Sequence, residues 1–186
     1  MSDEFEIEAK EGAGSLLNPP LGLAGWMAAL GLWGLSLGFL NILGMAYPGE
    51  LKISWAGFLS VGLFGDGVVS NTGFHPISDS IFFIGCAAIS GIGLRALNDS
   101  DVGVDGWAKG LIFNDTWPAL FTFDNGWERS IGAWSMLIGL IFYLWWGFTY
   151  TGWVDPGVYS VFVALFAFGY AMASISDHVD ATVPKE

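Results

Sequence analysis

Apolar residues come in long runs along this chain, divided by short polar links. The longest run, NPPLGLAGWMAALGLWGLSLGFLNILGMAY, covers Asn18 to Tyr47, with no charged residue from Leu21 to Tyr47. A hydrocarbon core of ~30 Å is crossed by about 20 such residues in a helix. This run is the first predicted membrane helix. It does not read as a removable leader: the residues before it are acidic where a leader starts basic, and it is too long for a leader's apolar core. Asn18 suits a helix cap, and Pro19-Pro20 fits a first turn, where a missing N–H costs nothing.

Three further runs predict spans on the same grounds: Ile77 to Leu97, Ile131 to Trp153 and Val158 to Ile175. Two weaker runs bring the expected total to about six. Leu51 to Val69 is about 19 residues long, just enough to cross, but Gly65-Asp66-Gly67 breaks it. Either the helix ends there at the interface, or the stretch is a short or re-entrant element, because irregular backbone at depth must sit in protein or line a cavity. Trp107 to Phe123 carries Asn114-Asp115 in its middle and Pro118 after it. It reads as a kinked span facing an aqueous path, or as an interfacial segment anchored by Trp107, Trp117 and Trp127. The expected class is an all-α polytopic membrane protein. An acidic tail (1–17) precedes one transmembrane helical domain (18–176), and a polar tail (177–186) follows it.

Composition agrees. The chain of 186 residues is 53% hydrophobic and 13% charged, where soluble domains carry about 25% charge. Mean hydropathy is +0.55. The 27 glycines are about twice the usual share and suit close helix contact in lipid. Gly34 and Gly38 form one GxxxG pair. A net charge of −12 argues against nucleic acid and anionic headgroups as partners. It also fits a high-salt or acidic-exterior habitat. The expected location is the inner (cell) membrane of a prokaryote. With six spans, the basic residues divide too evenly for the positive-inside rule to set an orientation.

Candidate chemistry is sparse. Cys86 is single, so it reads as a small buried side chain. His75, in a loop, and His178, in the tail, lack the neighbours of a metal site. Axial ligation of a haem or pigment by His75 stays open. Asp99, Asp101 and Asp105 lack the Glu and Gly of a calcium loop and read as a solvated turn. No catalytic constellation, phosphate loop or cofactor motif is present, so neither an enzyme nor a bound cofactor is expected. Ionisable residues at depth are default candidates for a solute or proton path. Asp66 and Asp115 are the two to test, with Asn114 and Asn18 beside them. The alternative is that both acids sit at helix ends in water. Asp79 and Arg95 lie near the ends of one span, where they stay wet or snorkel.

Asn18-Pro19-Pro20-Leu21-Gly22-Leu23 resembles the Asn-Pro-Ala-Pro-Leu-Gly-Leu motif that opens the first helix of the acetate uptake transporter family, one residue shorter. Tyr170-Ala171-Met172-Ala173 and Thr182-Val183-Pro184 look like that family's last helix and tail. The resemblance implies a six-helix homo-oligomeric channel passing small monocarboxylic acids with protons. Two functions are expected: a channel or transporter for a small solute, which the Asn-Pro entry favours, or an accessory, non-catalytic subunit of a larger respiratory or photosynthetic membrane complex, which the sparse intramembrane charge and the aromatic, glycine-rich faces favour. The lipid bilayer and either further copies or partner subunits are the expected neighbours.

Overall fold

The computed structural model describes residues 17–70, 73–114, 116–123 and 126–182. In chain order it contains α1 (Leu21–Ile42), β1 (Lys52–Ile53), α2 (Trp55–Leu59), β2 (Val68–Val69), α3 (Pro76–Asn98), α4 (Gly103–Ile112), a 3-10 turn (Pro118–Leu120), α5 (Trp127–Tyr150) and α6 (Pro156–Thr182). Among the described residues, four helices are long and apolar enough to cross a membrane: α1, α3, α5 and the Pro156–Ile175 part of α6. The chain is an all-α, polytopic integral membrane protein.

The expected count of six is corrected to four among the described residues. Leu51–Val69 does not form a helix of spanning length. Its only helix is the five-residue α2, and its ends pair as an antiparallel ribbon, Lys52 with Val69 and Ile53 with Val68. Trp107–Phe123 is divided as well. Helix α4 stops at Ile112, and the Asn114 side chain then takes up local backbone groups, its Oδ1 accepting from Thr116 N–H at 2.9 Å and its Nδ2 donating to Leu111 O at 3.3 Å. Pro118 opens the short 3-10 turn instead of continuing the helix. At the other end, α6 runs to Thr182, beyond the expected tail boundary. The acidic residues 1–16, and 183–186, lie outside the described residues.

The described residues fall into two compact units. In the first, α1 and α3 form an antiparallel hairpin. The buried positions of α1 (Ala24, Gly25, Ala28, Gly31, Gly34, Leu37, Gly38 and Asn41) recur every three or four residues and so make one face. Small side chains there let the backbones approach closely, which is the main source of helix association in lipid. A Cβ on Gly31 would lie 2.6 Å from Ser90, and one on Gly38 would lie 2.7 Å from the Phe83 ring. The GxxxG pair is thus a contact of α1 with α3. At the start of α1, Ala24 and Ala28 pack with Leu97, and Val104 and Trp107 of α4 close over them.

In the second unit, α5 and α6 pack in the same manner. Gly132 faces Gly169 so closely that a Cβ on Gly132 would lie 2.6 Å from the Gly169 carbonyl oxygen. Met136, Gly139, Tyr143 and Gly147 continue the buried face of α5. The Tyr143 hydroxyl donates to Trp153 O at 2.9 Å, and its ring packs on Tyr159 and Phe162. The 150–155 link reverses the chain within a few residues. Asp155 caps α6, with Oδ1 accepting from Gly157 N–H at 2.8 Å and Val158 N–H at 3.3 Å.

Candidate functional site

Most polar side chains of the first unit that lose contact with water gather at one end of its hairpin. The segment His75-Pro76 opens α3. Proline supplies the first helical position, and the carboxylate of Asp79 satisfies the orphan donor before it, with Oδ2 accepting from His75 N–H at 2.7 Å. The negative charge also complements the positive end of the helix dipole. Asp79 is fully buried. It was expected to stay wet at the helix end, and the structure corrects that. The 43–75 link is the part of the chain that returns to this end, and its α2 segment docks on the first turn of α3. There Ala56 N–H donates to Ser78 Oγ at 3.1 Å, and the Trp55 ring stacks on Phe82 at 3.6 Å.

Asn41, in the last turn of α1, is fully buried as well. Because α1 and α3 are antiparallel, it lies at the same end as Asp79. Gly73 N–H donates to Ile42 O at 3.1 Å and ties the link to the end of α1. An open cleft of about 400 Å³ lies beside the group, lined by Ser54, Phe64, His75, Pro76, Ile77 and Ser78 among others. Trp55 is buried nearby, and its Nε1–H has no hydrogen-bond partner among the described residues. A buried donor left in that state costs about 1–3 kcal/mol. The site therefore offers one buried carboxylate, an imidazole at a cleft and an unsatisfied indole donor. Among the described residues, no three His, Cys, Asp or Glu side chains are placed to hold a metal ion.

Of the residues expected to line a path, Asn18 and Asp66 both belong to the first unit and are not brought together. Asn18 is exposed just before α1. Asp66 is exposed in the turn that packs its backbone against Gly57 of α2. The two stand at opposite ends of the first hairpin, whose 22-residue α1 is about 33 Å long. Asn114 belongs to the second unit and serves its own turn. Asp115 lies outside the described residues. Arg95, as expected, stays exposed at the end of α3, with Nε 3.7 Å from Asp99 Oδ2.

Two buried cations escaped the reading of the sequence. Lys52 is fully buried in β1, and Arg129 is nearly so in the first turn of α5. The signal for Arg129 was present, because a cation in a first turn opposes the helix dipole and needs a local reason to be there. Nothing in the pattern around Lys52 marks it. Beside Arg129, Ser130 Oγ donates to Thr122 O at 3.0 Å.

No protein-family model matches this chain, and no curated protein or solved structure is found to be similar to it.

Proposed function

We infer that the chain is an accessory, non-catalytic subunit of a larger assembly in a prokaryotic cell membrane. One observation carries this reading: the seam of each hairpin is filled. Gly31 against Ser90 and Gly34 against Cys86 leave no room even for a methyl group at mid-span, and Gly132 against Gly169 leaves none in the second turn of α5. A solute path through either hairpin would need polar space there. The carboxylates of Asp79 and Asp155 sit at helix ends instead, each accepting from backbone N–H groups at the start of a helix. What the hairpins present outward is apolar and rich in aromatics, including Trp26, Trp134, Trp145 and Phe148. Such faces suit lipid and neighbouring helices.

The second reading is a path for a small monocarboxylic acid with protons. The resemblance at Asn18 to Leu23 favours it, and so does the buried carboxylate of Asp79 beside the His75 cleft. In that case the path runs outside the two closed seams. The resemblance implies six spans, against the four found among the described residues.

Purification from native membranes in mild detergent separates the readings. A stable heteromeric complex supports the subunit. A homo-oligomer, which in proteoliposomes takes up labelled acetate faster under an inward proton gradient, overturns it in favour of the channel.

A further inference from the structure

The turn after α2 is the most outward-facing apolar feature of the first unit. It reads Leu59-Ser60-Val61-Gly62-Leu63-Phe64. Val61 is 95% exposed, Leu63 78% and Phe64 72%. Val61 also has φ of +55°, a region in which a β-branched residue is an outlier. The fold thus holds an unfavourable backbone conformation at the tip of a turn whose apolar side chains are exposed, while the Ser60 hydroxyl turns inward to Gly57 O. Gly62 N–H donates to Gly57 O at 2.8 Å and Phe64 N–H to Ser60 Oγ at 3.0 Å, so the turn is a built one.

Its position identifies what covers it. Phe64 lines the same cleft as Pro76 and Ile77 of the first turn of α3. Ile77, Ile81 and Ile84 are exposed and follow one another at helical spacing, which makes them a single outward stripe on a membrane-crossing helix. The apolar turn continues that stripe past the end of the helix. No charged residue occurs between Ser54 and Gly65. The 23 residues of α3 span about 34 Å, so its first turn lies where the hydrocarbon core gives way to headgroups.

We propose that the Leu59–Phe64 turn is an interfacial anchor, a lipid-binding surface that inserts Val61, Leu63 and Phe64 into the acyl boundary beside the start of α3. The occupant is the bilayer of the same leaflet that surrounds Ile77. Apolar side chains at such a boundary gain by leaving water, while the exposed Gly65-Asp66 corner behind them stays on the aqueous side.

The test places a single cysteine at Val61 in a Cys86→Ser background, labels it with an environment-sensitive fluorophore and reconstitutes the full chain in phosphatidylcholine vesicles. The anchor predicts blue-shifted emission, quenching by lipids brominated on the acyl chain, and loss of quenching by aqueous iodide. Ile81→Cys supplies the lipid-facing reference and Asp101→Cys the aqueous one. Iodide quenching at Val61 equal to that at Asp101 overturns the proposal. Protection from both quenchers overturns it too, because the turn is then covered by protein. Should the strained Val61 position refuse substitution, Leu63→Cys reads the same boundary.

Discussion

Asp79 is a carboxylate removed from water at the point where a helix begins, and its geometry gives it a definite structural duty. Its Oδ2 accepts the His75 N–H at 2.7 Å. Asp79→Ala leaves that donor without its acceptor, which should lower stability by about 1–3 kcal/mol. Asp79→Asn keeps an accepting oxygen and loses only the charge at the helix start, which should cost about 0.3–1 kcal/mol. Unfolding in detergent micelles would measure both. Equal losses for the two variants would mean that the charge, not the cap, is what counts. The same pair bears on function, because a solute path through this end predicts that Asp79→Asn abolishes uptake while stability barely moves. Tyr143 allows a cleaner deletion in the second unit. Tyr143→Phe removes the hydrogen bond to Trp153 O and keeps the ring that packs on Tyr159 and Phe162. The expected loss is about 0.6 kcal/mol, in keeping with buried hydrogen bonds in membrane helices. A loss several times larger would show that the hydroxyl also sets the 150–155 link.

The helices can be interrogated by adding one carbon at a time to their glycines. At Gly31 the new Cβ would meet the Ser90 backbone nitrogen at 2.6 Å, and at Gly93 the Ala28 backbone nitrogen at 2.5 Å. Backbone cannot step aside, so Gly31→Ala and Gly93→Ala should cost about 1–3 kcal/mol as overpacking. At Gly38 the obstacle is the tip of the Phe83 ring, which can swing, and the loss should be smaller. Gly85 and Gly91 have nothing within 4 Å, so alanine there should stabilise the helix by about 0.4–1 kcal/mol. Melting temperatures of the five variants should rise in that order, and a uniform response would refute the tight seam. The same seams show what could be read from the sequence. The four long helices were legible because each is an apolar run longer than a bilayer requires. The Gly34/Gly38 contact was legible as a spacing, but its partner was not, since nothing local names Cys86 and Phe83. The two weaker runs misled because hydropathy averages over breaks. In 51–69 the break is made by the pairing of Lys52 with Val69, and in 107–123 by the local hydrogen bonds of Asn114. The burial of Asp79 depends on α2 docking at a helix end that, read alone, faces water. Long-range return of a link leaves no periodic trace in the chain.

Four crossings among the described residues, where six are expected from the sequence, change what the charges say about the whole molecule. With six, Arg95, Lys109 and Lys52 fall on one side, and Lys10, Arg129 and Lys185 on the other, which is a tie. With four, the 99–126 link joins the side of both flanking segments. Lys10, Arg95, Lys109, Arg129 and Lys185 then share a side, and of the 6 basic residues only Lys52 is left opposite. Basic residues near span ends, not net charge, set orientation, so the abundance of acids on the same side does not weaken the bias. The prediction is that both flanking segments and Asp101 face the cytoplasm, while Glu50 and the His75 cleft face outward. Glu50→Cys and Asp101→Cys, each in a Cys86→Ser background, check it with a membrane-impermeant maleimide on intact cells. Both positions are exposed in links outside the spans. Glu50→Cys should label directly and Asp101→Cys only after permeabilisation. The reverse pattern would keep four crossings and invert the protein. Like labelling of the two positions would mean that an even number of crossings separates them, as six spans require, and the 51–69 stretch would then have to cross after all.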